Sequence, residues 1–515
     1  MDKRKSILNV SVSIVSRILL LAAALCVRQL LITHIGNDIN GLNSLYSNII
    51  GMLSVAEFGV GSAIVFSMYR PIIKGDKRLV AALYCLYRKW YRIIAVVILA
   101  AGLIVTPFLP RLINDYERLD VNVYGTFLLS LASVVLSYLY SARISLIEAH
   151  RDNYITTGIL ACCSLIRYGM QIAAILLWKS YVAFLICQII DTVTVWGIME
   201  AVVRCRHGDI VKLHETADSE TRSEVRHNVK AMLMHRIGTV MVSTIDSLII
   251  SGYIGVVVLG KYTNYTFIAG VVGSTIALFF SPLTSTVGHL CALEDPNRRE
   301  ETFKLFYCMN YVLGVVFFLG YFSVIDDLVF LLFGPDLEMA RSIVFIITLN
   351  SFTQYMRRTL LLFRDASGSF YYDRWKAVGE GIVNLGLSLL FVNVFPENYR
   401  VVGVIVATII TTLLICYTVE PYVVFHHVFG KSPRKFYLRH YSYIGVFTAC
   451  LVLLAWIRQS GTGTFYGFLI NGMISVGISA TAIGVLMLMD RNFRDEMRRM
   501  IKILPNRGWN HFRFK

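Results

Sequence analysis

Long apolar runs recur along this chain from near its first residue almost to its last, and they decide what it can fold into. Each run is about 20 residues long, the length at which an α-helix crosses the hydrocarbon core of a bilayer. Only 16% of the residues are charged, against about 25% in soluble domains, so a string of soluble domains is excluded. The sequence predicts an all-α polytopic membrane protein with about fourteen transmembrane helices. The predicted spans are 9–34, 44–69, 86–108, 122–147, 155–177, 181–203, 233–254, 264–288, 303–325, 343–363, 376–395, 401–424, 441–457 and 466–489.

Lysine and arginine are distributed unevenly between the predicted loops. The two termini and the loops after even-numbered spans hold 36 of the 49, and the loops after odd-numbered spans hold 7. Because cytoplasmic loops are enriched in these residues, both termini are predicted to be cytoplasmic. This bias accounts for the net charge of +16, and no nucleic-acid-binding motif is present.

The sequence offers little that could serve enzyme chemistry. It has no Walker A sequence, no metal-ligand spacing among its 10 cysteines, and only short external loops. We therefore expect a transporter without a cofactor or a metal site rather than an enzyme.

The chain matches itself when it is shifted by 219 positions. Eight identities preserve the spacing around one predicted hairpin, and both copies enter from the cytoplasm, as expected of a parallel repeat. Two pseudo-twofold-related six-helix lobes should then surround a central cavity. The matched pairs are Arg17 and Arg236, Ile18 and Ile237, Ile35 and Ile254, Gly36 and Gly255, Gly41 and Gly260, Tyr46 and Tyr265, Ile49 and Ile268, and Gly51 and Gly270.

The repeat and the loops give the predicted domains. They are an N-lobe at 1–203, a cytoplasmic linker at 204–230, a C-lobe at 231–425, two added spans within 426–489 and a basic cytoplasmic tail at 490–515. In the tail, arginine alternates with apolar residues. This pattern fits either an amphipathic helix on the membrane surface up to Pro505 or a solvated basic tail.

Several arginines lie inside the predicted spans, where a charged side chain costs roughly 2.5–3.5 kcal/mol on insertion scales. A chain that carries so many is expected to turn some of them into a cavity, and their sign indicates an anionic substrate. The six are Arg17, Arg28, Arg143, Arg167, Arg357 and Arg358, with Arg236 at the inner edge of a further span.

Arg17 and Arg28 form the clearest pattern among them. Eleven residues are three helical turns, so both side chains share one helix face about 16 Å apart along the axis. Guanidinium groups bind phosphate bidentately and stay charged when partly desolvated. The alternative is that their side chains reach to the headgroups.

The other arginines have weaker patterns. Arg236 is expected to share the depth of its repeat partner, and neighbours such as Arg357 and Arg358 point about 100° apart, so at most one faces the lumen. Arg143 is close enough to the inner edge to reach the headgroups. Arg167 and Asp191 fall near the midplane of adjacent spans and are predicted to form a structural ion pair.

Carboxylates inside the spans are candidates for ion coupling or gating. Glu57 has small neighbours that permit close helix packing, and Asp246 follows His235 by eleven residues on one helix face. A buried carboxylate near histidine can bind H⁺ or Na⁺, as could Asp191, and a salt bridge to a lobe arginine is the other interpretation. Glu380 and Glu420 lie near the inner boundary and are interpreted as solvated.

Five segments resemble bacterial polysaccharide and O-antigen repeat-unit flippases. This family belongs to the multidrug/oligosaccharidyl-lipid/polysaccharide exporter superfamily, and the similarity runs from about residue 10 to residue 425. The segments are Leu42–Tyr46, Glu57–Pro71, Ser243–Ser251, Phe363–Arg374 and Glu380–Ser388.

The resemblance implies a flippase with two helix bundles in a V in the bacterial cytoplasmic membrane. Alternating access would turn an undecaprenyl-diphosphate-linked oligosaccharide from the inner to the outer leaflet, for capsule, O-antigen or exopolysaccharide synthesis. No ion-site motif of the family transfers to this chain, so ion-gradient coupling by H⁺ or Na⁺ is expected from the carboxylates alone. Membrane lipids and a polysaccharide polymerase are further candidate partners. In the lipid-flipping branches cavity arginines contact the diphosphate, a role carried here to Arg17, Arg28, Arg236, Arg357 and Arg358.

Three other functions compete with this one. A peptidoglycan-precursor flippase shares the fourteen spans and the cationic lumen. A multidrug antiporter should show an acidic excess, whereas six embedded arginines stand here against five embedded carboxylates. A scaffold or a membrane enzyme is disfavoured by the internal repeat and the short loops.

Overall fold

The computed structural model shows the chain as a set of helices. It describes residues 3–54, 67–69, 71–114, 116–150, 152–213, 215–216, 218–219, 244–280, 287–288, 290–291, 294–369, 372–373, 375–457 and 465–503. Side chains are described at residue 12 and from residue 15 on, except at 118, 278, 279, 465, 502 and 503. No β-strand occurs in these ranges, which confirms the all-α fold. By contact clustering the chain forms two compact units, Met1–Gly260 and Lys261–Lys515.

The first unit is built from long helices joined by short turns. Its helix α1 packs along α5, and α4 packs against both α3 and α6. A further helical segment at 244–253 belongs to this unit, and so does the first turn of α7. The helices are α1 (Lys3–His34), α2 (Asn37–Leu53), α3 (Lys77–Val105), α4 (Val123–Ala149), α5 (Asn153–Trp178) and α6 (Tyr181–Lys212), followed by α7 (Val256–Phe280), which belongs to the second unit from Lys261 on.

The second unit contains the longest helix of the described chain, α8, which packs against α9 and α15. Helices α12 and α13 form one continuous path with two π-helical stretches, Thr412–Cys416 and Val424–Val428. The helices are α8 (Pro296–Phe333), α9 (Arg341–Met356), α10 (Arg358–Ala366), α11 (Lys376–Val394), α12 (Arg400–Thr411), α13 (Tyr417–Val423), α14 (Arg434–Ile457), α15 (Phe465–Met489) and α16 (Arg491–Ile503).

Ten helices within the described ranges are long and apolar enough to cross a membrane. Several predicted spans match a helix within a few residues, among them 122–147, 155–177, 376–395 and 466–489. Five predicted starts lie seven to nine residues too late, since the helices begin at Asn37, Lys77, Val256, Pro296 and Arg434 rather than at 44, 86, 264, 303 and 441. The polar residues at the start of α2 lower its local hydropathy, so the apolar signal begins late.

Helices α2 and α7, two of those that begin earlier than predicted, share one feature, a glycine break just before their first residue. Gly36 and Gly255 have φ angles of 137° and 133°, a region that side-chain-bearing residues rarely adopt. In each copy the glycine N–H bonds back into the preceding helix, Gly36 to Leu31 at 3.1 Å and Gly255 to Ile250 at 2.9 Å. The two donors, Gly36 and Gly255, are 219 positions apart, and so are the two acceptors, Leu31 and Ile250. The backbone hydrogen bonds therefore follow the same repeat as the sequence.

The repeat-related glycines Gly41 and Gly260 permit close packing inside the first unit. A Cβ on Gly41 would lie 2.0 Å from the Val256 carbonyl oxygen, and one on Gly260 would lie 2.4 Å from that of Asn37. The Asn37 Nδ2 donates to the Val257 carbonyl at 2.9 Å. Backbones this close leave no room for a side chain, so glycine is required at both positions.

The C-terminal helices pack against the rest of the second unit through one polar contact and one buried aromatic ring. On α15 the Asn471 Nδ2 donates to the buried Asp327 carboxylate at 3.0 Å. On α16 the ring of Phe493 is buried between Tyr311 and Tyr443. The solvated-tail interpretation is therefore wrong for Arg491–Ile503, which forms a helix packed on the protein. Its relation to a membrane surface stays a prediction.

Candidate functional site

The two arginines of α1 lie on one uninterrupted helix that runs from Lys3 to His34. Arg17 is exposed and Arg28 is half-buried. For Arg17, no hydrogen bond or ion pair is found to any described side chain. The intervening Leu21 and Ala24 are only partly covered. The helix thus presents two arginines on one face, and Arg17 forms no ion pair with a described carboxylate. Such an arrangement suits an anionic ligand.

Of four further residues predicted from the sequence, the structure describes only one. Glu57, His235 and Arg236 lie outside the described residues. Asp246 lies in the helical segment 244–253 and is buried, with 8% of its surface exposed. Its predicted part in ion coupling stays a prediction.

Arg167 and Asp191 lie together between α5 and α6. The Arg167 Nε is 3.3 Å from the Asp191 carboxylate. The guanidinium also lies over the Tyr168 ring, 4.6 Å from its centroid, which adds a cation–π contact. The pair is opposite in charge and lies inside one unit, as a structural role requires.

Replacing Arg167 by alanine should lower the amount of folded protein, because it leaves a partly buried Asp191 carboxylate without its cation. We expect a loss of about 1–3 kcal/mol of stability, since both side chains keep some solvent contact. The measurement is protein abundance in the membrane together with the midpoint of thermal unfolding. Restored abundance in Arg167→Ala/Asp191→Ala would support the pairing, whereas full abundance with lost transport in Arg167→Ala would indicate a substrate role instead.

Arg143 is not a headgroup-reaching side chain. Its guanidinium is buried and ion-paired with Glu200 of α6, which also accepts from Arg204 at 2.6 Å. The sequence interpretation missed Glu200 because the two partners stand 57 positions apart. The pair neutralises Arg143 inside the protein.

Arg357 lies at the centre of a buried ion-pair cluster in the second unit. Its Nη2 donates to the Glu420 carboxylate at 2.7 Å, and its Nη1 is 3.4 Å from the Glu380 carboxylate. Lys376 is ion-paired with Glu420 and lies 3.8 Å from Glu380. Gln354 accepts a further bond from Arg357. Two cations thus meet two carboxylates, and the cluster is neutral.

This ion-pair cluster corrects two expectations. Glu380 and Glu420 are not solvated, since only 4% and 1% of their surfaces are exposed. Arg357 is occupied by carboxylates in this structure, so it does not present a free guanidinium to an anion. The helix break at Arg357 between α9 and α10, and the π-helical stretches around α13, bring these side chains together.

Arg358 has different surroundings from its neighbour. It is half-buried, donates to the Gly273 carbonyl of α7 at 3.4 Å, and lies 5.8 Å from the Tyr355 ring centroid. No described carboxylate forms an ion pair with it. Of the two adjacent arginines, Arg358 is therefore the one that keeps a charge available to an anion.

A polar seam runs from the ion-pair cluster along α11. Glu380, Asn384 and Ser388 follow one another at successive turns and are all buried. The Asn384 Nδ2 donates to the Thr408 hydroxyl of α12 at 2.8 Å. The Asn384 Oδ1 and the Ser388 Oγ have no hydrogen-bond partner within the described chain. The spacing of four residues between these three side chains is the sequence signal for this seam.

The surroundings of the seam suit a small cation better than an anion. Unpaired buried oxygen atoms are costly unless water or an ion satisfies them, and hydroxyl and amide oxygens are ligands for hard cations. In the described part of the chain no group of three or more metal-binding side chains occurs.

Comparison by sequence finds no matching family model and no matching curated protein. Comparison by structure finds transporters. The lipid II flippase MurJ in an inward closed conformation matches with a TM-score of 0.63 and 12% identity, over 93% of this chain and 99% of MurJ. An inward-facing multidrug resistance MATE transporter matches with a TM-score of 0.58 and 12% identity, over 80% and 98%. A Vibrio cholerae MATE transporter matches with a TM-score of 0.56 and 11% identity, over 84% and 100%.

These identities are too low to transfer a substrate, but the length of the matches is decisive for the architecture. Nearly the whole of each transporter is covered, so the likeness extends over the complete fold. The chain is a multi-pass membrane protein that shares its fold with MurJ and with the MATE transporters.

Proposed function

We propose that this protein flips an undecaprenyl-diphosphate-linked oligosaccharide from the cytoplasmic to the outer leaflet of a bacterial cytoplasmic membrane, by alternating access. The observation that supports this most is the pair of arginines on α1, with Arg17 exposed and Arg28 three turns further on. A diphosphate carries the charge and the oxygen geometry that guanidinium groups bind best.

Arg358 is the third residue we assign to the diphosphate. It retains its charge beside a backbone carbonyl and an aromatic ring, while Arg357 is neutralised by Glu420. Arg236 stays a candidate as the repeat partner of Arg17. We assign Arg357 a structural role in place of substrate contact.

Cation binding at the polar seam of α11 would couple flipping to an ion gradient. The Asn384 and Ser388 side-chain oxygens that lack a hydrogen-bond partner support a site for hydronium or Na⁺ rather than for the substrate anion. Glu57, Asp246 and Asp191 remain the candidates on the first unit.

The topology of the proposal follows from the distribution of charge. We propose that both termini lie in the cytoplasm. The proposal also keeps the boundaries predicted from the sequence for the lobes, the linker and the two added C-terminal spans. The basic face of α16 would then meet the cytoplasmic leaflet. A polysaccharide polymerase stays a predicted partner.

A deletion strain tests the proposed function. We expect loss of surface polysaccharide, accumulation of its lipid-linked repeat unit on the cytoplasmic side, and unchanged sensitivity to cationic drugs. The measurement combines surface glycan staining, extraction of lipid-linked oligosaccharide and drug inhibition curves, with the wild-type gene on a plasmid as the control.

Two outcomes would contradict the substrate assignment. Rescue of a strain that lacks its peptidoglycan-precursor flippase would indicate that substrate instead. Increased drug sensitivity with intact surface polysaccharide would indicate a multidrug antiporter.

A further inference from the structure

The first unit contains a partly open cavity of about 290 Å³ between α2, α4 and α6. This volume equals about ten waters at roughly 30 Å³ each, and it lies near the lower end of small-molecule pockets, which begin at about 300 Å³. It is too large to be a packing defect. The lining residues that matter here are Asn43, Ser47, Gly51, Ser54, Ser130 and Gln188.

One face of α2 supplies most of the cavity wall. Its lining residues recur every three or four positions from Asn43 to Ser54, which is the spacing of a single helix face. In a membrane protein such a face would ordinarily be apolar and packed. Here it carries an amide and several hydroxyl groups, so the cavity sets polar groups into a lining that is otherwise apolar.

Two side-chain amides of the cavity lining have donor or acceptor atoms without a partner among the described residues. The Asn43 Oδ1 accepts from the Tyr181 hydroxyl at 3.1 Å, whereas its Nδ2 has no partner in the described ranges. The Gln188 side chain likewise makes no hydrogen bond to any residue that the structure describes. An amide both donates and accepts, so these two groups can bind a ligand that does the same.

The cavity hydroxyls are available mainly as acceptors. Ser47, Ser54 and Ser130 donate to carbonyls of the preceding helical turn at 2.8–3.0 Å. The oxygen lone pairs of Ser47 and Ser54 remain available to accept from a ligand hydroxyl. The lining therefore offers donors from amides and acceptors from serines.

No lining residue is charged. The nearest charged group along α6 is Asp191, which stands three positions after Gln188 and is neutralised by Arg167 at 3.3 Å. A diphosphate would lack a counter-charge here, and an acyl chain would leave the polar groups unsatisfied. A neutral ligand rich in hydroxyl groups satisfies both conditions.

We propose that this cavity binds a sugar residue of the lipid-linked oligosaccharide, with Asn43 and Gln188 as its hydrogen-bonding side chains. The inference rests on the proposed function and deepens it, since the arginines hold the diphosphate and the cavity holds part of the glycan. A flippase built this way distinguishes the glycosylated lipid from the bare carrier.

Gly51 allows the cavity to be filled without disturbing the fold. A Cβ at this position meets no atom within 4 Å, because it points into open space. Leucine also has a better helix propensity than glycine. Gly197 of α6 is the matched control, since its Cβ also meets nothing within 4 Å and it is exposed on the same unit.

The experiment measures binding by the full chain in lipid nanodiscs. The two probes are the undecaprenyl-diphosphate-linked oligosaccharide extracted from the cell that makes this protein, and undecaprenyl diphosphate without sugar. The wild type should prefer the glycosylated probe. Gly51→Leu should reduce that preference at least tenfold, and Gln188→Leu by roughly 2- to 10-fold, the worth of one hydrogen bond. Gly197→Leu should retain it, and all variants should bind undecaprenyl diphosphate equally.

Each other result overturns a distinct part of the account. An unchanged preference in Gly51→Leu would show that the cavity holds only water. A wild type that binds both probes equally would remove the sugar site and leave diphosphate binding intact. A wild type that binds neither probe would overturn the proposed function and this inference with it.

Discussion

Replacing Glu420 by alanine should remove most of the folded protein from the membrane. Glu420 is 1% exposed and accepts from both Arg357 and Lys376. Without it, two buried cations share Glu380 alone, and breaking a buried pair in this way costs about 3–5 kcal/mol. That is a large part of the 5–15 kcal/mol that stabilises a typical domain. The measurement is the amount of folded protein, by fluorescence-detected size exclusion, and its unfolding midpoint.

A double variant separates the charge imbalance from lost packing. Arg357→Met/Glu420→Leu removes one charge of each sign and leaves Lys376 paired with Glu380. It should be less destabilised than the sum of its single variants, because neither partner is left uncompensated. Glu397→Ala, at an exposed carboxylate, is the control and should behave as the wild type. Wild-type abundance of Glu420→Ala would contradict the structural role given to the ion-pair cluster.

Replacing Arg17 by alanine should abolish surface polysaccharide while leaving the protein level unchanged. Arg17 is exposed and has no ion-pair partner in the described chain, so its removal leaves no buried charge behind. A hydrogen bond to a charged group is worth about 1.5–3 kcal/mol, which corresponds to roughly 10- to 150-fold in affinity for the diphosphate. The measurement is surface glycan per cell, normalised to membrane-inserted protein.

Arg17→Lys refines this prediction. Lysine keeps the charge but loses the bidentate geometry, so export should be partly restored. Arg491→Ala, an exposed arginine on α16, is the matched control and should export normally. Normal export in Arg17→Ala would remove this residue from the substrate path.

The architecture was largely predictable from the sequence because it depends on local composition. Apolar runs of membrane-spanning length predicted most helices. The identities at Gly36 and Gly255 marked the same hairpin in both copies of the repeat, but the helix break at these glycines was seen only in the structure. The starts of α2 and α7 were missed because polar residues near Asn37 and the glycine break dilute an averaged hydropathy. Such a signal reports where apolar residues are dense rather than where the backbone turns helical.

The pairing of charged residues was less predictable, because it is set by tertiary packing. Arg357 and Glu420 stand 63 positions apart, and their encounter depends on a helix break and two π-helical stretches that have no simple sequence mark. The contact between Arg167 and Asp191 was predicted because both fall near the predicted midplane of adjacent spans. A pairing between neighbouring helices can therefore be predicted from the sequence, whereas a partner in a distant helix cannot.

The most direct measurement is flipping by the purified protein in proteoliposomes. Undecaprenyl-diphosphate-linked oligosaccharide from the host is placed in the inner leaflet, and its arrival outside is followed by accessibility to an added glycosidase. Wild-type protein should accelerate arrival well above the rate in protein-free vesicles, and Arg17→Ala should return it to that rate. Arrival in wild-type vesicles no faster than in protein-free ones would contradict the account.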